Sequence, residues 1–174
     1  RKDMVGKIVE KLASGEIPTK VTHNDTKLNN VLIDDATGKA LCVIDLDTIM
    51  PGTVCYDFGD SIRFGCNPAA EDEKDLNKVN FDINLFEQYV KGYVSTLKAT
   101  LTQAEADNLA LGAIMMTYEC GIRFLSDYLD GDVYFRVKRP EHNLDRTRTQ
   151  FKLVADMEKN LDKMNAIVAK YYKG

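Results

Sequence analysis

The spacing of hydrophobic residues along the chain predicts a mainly helical protein. Residues 3–13, 81–98, 102–129 and 144–172 each carry apolar positions at helical intervals. In the first of these segments, Met4, Ile8 and Leu12 fall on one face. The third is apolar almost all round from Leu109 to Met116, so we expect this helix to lie in the core.

A short β-hairpin interrupts this helical pattern near the beginning of the chain. Two apolar runs, 31–33 and 40–44, flank a polar turn that contains Gly38. A further short helix is predicted to begin at Tyr56 and to end before Gly65. The expected fold class is therefore mainly α with a small β-hairpin (α+β), and 174 residues suit a single domain spanning residues 1–174.

Composition and charge exclude several kinds of partner. The formal net charge is −4, whereas nucleic-acid-binding proteins normally carry a basic surface, so no nucleic-acid partner is expected. The basic stretch at 136–148 is interpreted as a solvated loop or helix start rather than an anion site. No apolar stretch reaches about 18 residues, so no membrane partner is expected. The four cysteines form no CxxC pair, which favours a reducing cytoplasm.

Candidate chemistry begins at Asp25 and Asn30, five residues apart in His-Asn-Asp-Thr-Lys-Leu-Asn-Asn. This is the spacing of the kinase catalytic loop, in which the aspartate accepts the proton of the substrate hydroxyl and the asparagine binds magnesium. The hairpin suggests a second metal ligand, because the midpoint between Asn30 and Asp45 falls in the predicted turn. We therefore expect these two residues to oppose each other, about 5 Å apart.

The alternative is purely structural: Asp25 caps a turn, Asn30 ends a strand and Asp45 begins a loop. Asp57-Phe58-Gly59 also spells a metal-binding motif of protein kinases. Asp57 lies outside the predicted hairpin, however, and therefore does not oppose Asn30. It lies where a helix is predicted to begin. We therefore interpret it as a helix N-cap.

Three motifs in combination carry a resemblance to a known family. The segments HNDTKLNN, VIDLD and YDFGD, in this order, resemble the aminoglycoside phosphotransferase and choline kinase superfamily. The run from His23 to Gly65 most resembles bacterial N-acetylhexosamine 1-kinases. The resemblance covers nearly the whole chain and implies the C-terminal lobe of a protein-kinase-like fold.

The resemblance implies phosphoryl transfer from ATP to the anomeric hydroxyl of N-acetylglucosamine or N-acetylgalactosamine. Asp25 would be the catalytic base, and Asn30 and Asp45 would bind Mg²⁺. Asp47 would support these ligands or occasionally bind the metal itself. His23 is expected to brace the catalytic loop through hydrogen bonds.

The same resemblance assigns substrate contacts to Phe64, Arg123 and Tyr134. Arg123 lies in an otherwise apolar helix, where a buried guanidinium would need a partner. Glu119 is four residues earlier, so an ion pair between these two residues is as well supported by spacing as a sugar contact.

The chain has no glycine-rich phosphate loop and no preceding strand lysine, and residues 1–20 are too few to hold them. We therefore expect an ATP-gripping N-terminal lobe to be absent from this chain, and the fragment alone to be inactive. Choline- or aminoglycoside-type specificity is the alternative, and a non-catalytic binding fragment is disfavoured by the intact motif. Sulfatase chemistry is rejected, because the CxPxR-like segment that begins at Cys66 has Ala70 in place of arginine.

Overall fold

A computed structural model describes all residues, 1–174, and contains six α-helices and two small antiparallel sheets. The helices are α1 (Lys2–Val5), α2 (Lys7–Ala13), α3 (Val54–Gly65), α4 (Ile83–Leu97), α5 (Gln103–Leu129) and α6 (His142–Lys173). The strands are β1 (Lys20–Thr22), β2 (Val31–Ile33), β3 (Ala40–Val43) and β4 (Met50–Gly52). The expected mainly helical α+β class is confirmed.

Hydrophobic burial holds the long helices together, with α5 at the centre between α3 and α6. Leu109, Ala113 and Ile114 of α5 are fully buried, which confirms the predicted core position of this helix. The same hydrophobic cluster extends from Ile8 in α2 to Val168 in α6. No helix is both long enough and apolar enough to cross a membrane.

Two glycines let α3 and α5 cross unusually closely. A Cβ atom at Gly112 would lie 2.2 Å from the carbonyl oxygen of Cys55, and one at Gly59 would lie 2.4 Å from that of Gly112. Because no real side chain tolerates these distances, the crossing requires glycine at both positions. The second half of α3 is thereby brought beside the part of α5 that follows Gly112, and these two segments form walls of the cavity described below.

The helix predicted at 3–13 forms, but it is divided at Gly6 into α1 and α2. The helix predicted from Tyr56 begins earlier, because the Thr53 side chain caps it by accepting a hydrogen bond from the amide of Cys55. The expectation that Asp57 is the N-cap was therefore wrong. Asp57 lies within the first turn of α3, where its carboxylate is free to bind the preceding loop.

The hairpin at 31–43 forms, but its register differs from the predicted one. Val31 pairs with Val43 and Leu32 with Cys42, and an irregularity then shifts Ile33 onto Ala40. The amide of Ile44 donates to the carbonyl of Asn30 (2.9 Å), so Asn30 faces Ile44 and not Asp45. The predicted pairing of Asn30 with Asp45 was therefore wrong by one residue, because the centre of the hairpin lies at Thr37 and not between Thr37 and Gly38. The second sheet, β1 with β4, was not predicted from the sequence.

Candidate active site

The loop at residues 23–30 is held by hydrogen bonds to two other parts of the chain, at Thr48 and at Asp57. The amides of His23 and Asn24 donate to the two carboxylate oxygens of Asp57, each at 2.8 Å. Asn24 has a left-handed backbone (φ 64°), and its side-chain amide donates to the carbonyl of Thr48 (3.0 Å). Such a conformation is better tolerated by asparagine than by most residues. The loop is therefore fixed at the point where it enters the candidate site.

His23 uses both ring nitrogens within this loop. The amide of Asp25 donates to Nδ1 (3.3 Å), so Nε2 carries the ring proton and donates to the carbonyl of Ile44 (3.0 Å). The imidazole thus joins the loop at residues 23–30 to the end of the β-hairpin. In this way it connects the backbone at Asp25 to the backbone just before Asp45.

Asp25 lies in this loop with one carboxylate oxygen in use and one available. Oδ2 accepts hydrogen bonds from Nζ of Lys27 and from Nδ2 of Asn30, both at 2.8 Å, whereas Oδ1 accepts none from the protein. Partial burial alone would raise the pKa of Asp25, but the hydrogen bonds from Lys27 and Asn30 outweigh it and hold the pKa below its ordinary value. At neutral pH the group is a carboxylate, with Oδ1 free to accept a proton.

The side chain of Asn30 lies next to this carboxylate and carries an oxygen suited to a hard cation. Asn30 is buried, and its Nδ2 donates to both the carbonyl and the carboxylate of Asp25, which leaves its amide oxygen free. Asp45 follows directly after the residue that pairs with Asn30 and has a left-handed backbone (φ 63°). The side chains of Asp45 and Asp47 are exposed and hydrogen-bond no protein group.

This donor set fits Mg²⁺, because Mg²⁺ usually binds one or two carboxylates together with substrate phosphates and water rather than a complete protein cage. Consistent with this, no group of three or more His, Cys, Asp or Glu side chains is arranged to hold a metal ion. Asn30 and Asp45 would supply the protein ligands, and Asp47, two residues after Asp45 in the sequence, a further carboxylate.

A cavity of about 500 Å³ opens beside Asp25. Phe64, Arg123 and Tyr134, the three residues expected to contact the substrate, all line it together with Asp25. The close crossing of α3 and α5 places Phe64 and Arg123 on adjacent walls, and Tyr134 comes from the segment between α5 and α6. The structure thus brings together four residues that are separated by as many as 109 positions in the sequence.

The expectation that Arg123 is buried was wrong, since its side chain is 49% exposed. Its Nε lies 3.7 Å from Oε1 of Glu119, so the i,i+4 ion pair exists, and both residues line the cavity. The guanidinium also lies over the rings of Tyr134 (5.7 Å) and Phe135 (5.4 Å). Burial raises the pKa of Glu119, and Arg123 partly offsets this rise.

Several charged residues of the cavity were not predicted from the sequence. Arg63 is buried and bridges two acids, with Nε and Nη2 at 2.9 Å from Oδ1 of Asp60 and Nη1 at 2.9 Å from Oε1 of Glu71. Nε of Arg146 lies 3.6 Å from the other oxygen of Glu71. The i,i+3 spacing of Asp60 and Arg63 on a predicted helix was a usable signal. The pairing of Arg63 with Glu71 could not be predicted from the sequence, because Glu71 lies in an irregular loop.

Basic residues of the stretch at 136–148 pair with acidic side chains and do not face bulk solvent alone. Arg139 binds both Asp72 and Asp145, and Nε2 of His142 donates to Oδ2 of Asp72 (3.0 Å). The interpretation of this stretch as a helix start was correct, since α6 begins at His142.

A known protein family matches the part of the chain that contains the loop at residues 23–30. Residues 7–96, more than half of the chain, match the model of the phosphotransferase enzyme family. The match includes the loop at residues 23–30, the hairpin and α3, and it supports the resemblance to the aminoglycoside phosphotransferase and choline kinase superfamily. The family implies ATP as phosphate donor and usually a divalent metal. The chain belongs to the phosphotransferase enzyme family.

Proposed function

We propose that this chain is the catalytic and acceptor-binding lobe of an ATP-dependent kinase that phosphorylates the anomeric hydroxyl of an N-acetylhexosamine. The observation that carries this proposal is the cavity beside Asp25, which is lined by Phe64, Arg123 and Tyr134. Its volume of about 500 Å³ lies within the usual range of small-molecule sites.

The charges of the cavity favour a neutral acceptor over a cationic one. Five basic and four acidic side chains line it: Lys27, Arg63, Arg123, Arg136 and Arg146, and Asp25, Asp60, Glu71 and Glu119. Two of the four acids already pair with Arg63. An aminoglycoside would need unpaired carboxylates for its ammonium groups, and this cavity offers few.

The aromatic rings of the cavity also disfavour a quaternary ammonium. Binding of choline relies on open aromatic faces. Here Arg123 already lies over Tyr134 and Phe135, and Arg146 lies 5.2 Å from the ring centre of Phe124. Hydroxyl and amide groups of a neutral sugar can bind guanidinium and carboxylate groups alike, and its apolar face can pack against Phe64. Choline and aminoglycoside acceptors are nevertheless the alternatives that the experiment below must separate.

The chemistry assigned to Asp25 is proton acceptance. Oδ1 of Asp25 would receive a hydrogen bond from the anomeric hydroxyl and take its proton as the sugar oxygen forms a bond to the γ-phosphorus. The bond from that phosphorus to the β–γ bridging oxygen breaks, and the products are the sugar 1-phosphate, ADP and a proton. A metal bound by Asn30 and Asp45 would supply charge neutralisation on the phosphates.

Residues 1–174 contain neither a glycine-rich phosphate loop nor a strand lysine of the kinase type. We therefore propose that robust turnover requires an ATP-gripping lobe from a separate segment of the same protein. Turnover by residues 1–174 alone, at the rate of the full-length kinase, would refute this part of the proposal.

The test is ATP consumption by the full-length kinase with N-acetylglucosamine, N-acetylgalactosamine, choline and kanamycin as acceptors. We expect turnover of the N-acetylated sugars, with the phosphate on the anomeric oxygen by phosphorus NMR. The variant Asp25→Asn should lower kcat by at least about 100-fold, in keeping with the usual contribution of general base catalysis. Turnover of choline or kanamycin instead, or full activity of the Asp25 variant, would overturn the proposal.

A further inference from the structure

The segment between α5 and α6, residues 130–141, contains no regular helix or strand, yet it forms part of the cavity wall. Tyr134, Phe135 and Arg136 from this segment line the cavity. The chain reverses direction after α5 through Gly131 and Asp132, both with positive φ (94° and 60°). A wall built from irregular chain needs a specific anchor if it is to keep its shape.

Asp127, near the end of α5, is such an anchor. Its side chain is buried, and Oδ1 accepts a hydrogen bond from the amide of Tyr134 (2.7 Å). Oδ2 accepts one from the amide of Phe135 (3.0 Å) and another from Nδ2 of Asn143 (2.8 Å). One carboxylate therefore binds two consecutive backbone amides of the cavity wall and one side chain of α6.

A chain of hydrogen bonds links Asp127 through Asn143 of α6 to Arg146 at the cavity. Asn143 is fully buried, and its Oδ1 accepts a hydrogen bond from Nη1 of Arg146 (2.9 Å). Arg146 itself lines the cavity, and its Nε lies 3.6 Å from Oε2 of Glu71. On the opposite side of the segment, Arg123 lies over the rings of Tyr134 and Phe135. The backbone amides of Tyr134 and Phe135 are thus bound by Asp127, and the guanidinium of Arg123 covers their rings.

We propose that Asp127 is a positioning residue for the acceptor: it fixes the backbone at Tyr134 and Phe135 so that their side chains complete the acceptor cavity. It touches neither the acceptor nor the nucleotide and acts only through this segment. The assignment rests on the proposed function, because it takes the cavity beside Asp25 to be the acceptor site.

Charge strengthens the anchor. Burial alone would raise the pKa of Asp127, but the amides of Phe135, Tyr134 and Val133 and the side chain of Asn143 outweigh burial and hold the pKa below its ordinary value. The carboxylate is therefore ionised at neutral pH, and hydrogen bonds to an ionised acceptor are about twice as strong as neutral ones. Asparagine at this position offers one acceptor oxygen in place of two, and its amide group would face one of the N–H donors.

The experiment compares Asp127→Asn with Asp132→Asn in the full-length kinase. Asp132 is a matched control, because it accepts a hydrogen bond from the same Asn143 (2.8 Å) but binds no amide of the cavity wall. Its left-handed backbone also tolerates asparagine. We expect Asp127→Asn to raise the acceptor KM by roughly 10- to 100-fold, as for loss of a charged hydrogen bond, with the ATP KM unchanged. Asp132→Asn should leave both KM values within about twofold.

Amide exchange by NMR provides a second measurement that does not depend on the variant folding. In the unaltered protein, the amides of Tyr134 and Phe135 should exchange slowly although they lie outside regular structure, and the amide of Arg136 should exchange faster. Rapid exchange of Tyr134 and Phe135, or a folded Asp127 variant with an unchanged acceptor KM, would overturn the proposal. An equal rise of both KM values would also overturn it.

The KM measurement uses whichever acceptor the kinase turns over best. If that acceptor is choline or kanamycin, the proposed function fails while the role of Asp127 is still tested. If the acceptor is an N-acetylhexosamine and its KM is insensitive to Asp127, only the present inference fails.

Discussion

The variant Asp57→Asn separates two roles for the aspartate of the Asp-Phe-Gly motif. In this structure the Asp57 carboxylate accepts hydrogen bonds from the amides of His23 and Asn24, each at 2.8 Å. Asn24 lies next to Asp25 and has a left-handed backbone. We therefore expect Asp57 to hold the catalytic loop in position, and not to bind metal.

The expected magnitude follows from these two contacts. Asparagine keeps one acceptor oxygen and turns an NH₂ group toward the other amide, so one hydrogen bond to a charged group is lost. Such a bond contributes about 1.5–3 kcal/mol to the free energy of unfolding. For a chain of this size the melting temperature should fall by roughly 3–12 °C. Displacement of Asp25 by about 1 Å would lower kcat by roughly 100-fold.

Mg²⁺ titration of the proposed kinase distinguishes the two roles, with Asp45→Asn as the matched control. Asp45 is exposed and makes no hydrogen bond within the protein, so its substitution should change the free energy of unfolding by less than about 0.5 kcal/mol. It should, however, raise the Mg²⁺ concentration needed for half-maximal activity. Asp57→Asn should leave that concentration unchanged and lower the melting temperature. The opposite pattern, with Mg²⁺ dependence altered at Asp57 and not at Asp45, would refute the assignment of both residues.

Three further outcomes are expected. Gly112→Ala should destabilise the protein by about 1–3 kcal/mol or more in urea unfolding, because the new Cβ would lie 2.2 Å from the carbonyl oxygen of Cys55. Gly92→Ala, with nothing within 4 Å of the new Cβ, should stabilise it by roughly 0.5–1 kcal/mol; equal effects at the two sites would contradict the helix crossing described above. Burial and the nearby Arg146 and Arg139 lower the pKa of His142, and together they outweigh the opposite effect of Asp72. The folded state therefore binds a proton less readily than the unfolded chain, in which the pKa of histidine is about 6.5. The melting temperature should therefore fall as pH drops from 7.5 through 6.5 to 5.5, and His142→Gln should reduce that fall; an unchanged fall in the variant would exclude His142 as its source.

Much of the secondary structure could be predicted, because it depends on local patterns. The hydrophobic period of 102–129 specified a buried helix, and the polar turn between two apolar runs specified the hairpin. The sheet formed by β1 and β4 was missed, because each strand has only three residues and its partner lies about 30 positions away. Short strands leave too little periodicity to be recognised, and their pairing depends on the packing of the loop at residues 23–30.

The candidate site divides in the same way. The proximity of Asp25 and Asn30 could be predicted from the sequence, since they lie five residues apart in one short loop and their hydrogen bond is local. The pairing of Asn30 with Ile44 could not, because the centre of the hairpin lies half a residue earlier than the midpoint between Asn30 and Asp45. A shift of this kind depends on the geometry of the turn, and the hydrophobic pattern does not record it.

The sequence by itself therefore determined the helical class, the hairpin and the proximity of Asp25 to Asn30. All three depend on contacts between residues that are close together in the chain. Only the tertiary structure decided that Asp57 binds the catalytic loop rather than capping a helix. It also decided that Arg63 links Asp60 to Glu71, and that Asp127 holds the wall formed by Tyr134 and Phe135. These contacts arise where α3, α5 and α6 pack together, and such packing depends on the whole core rather than on any single segment.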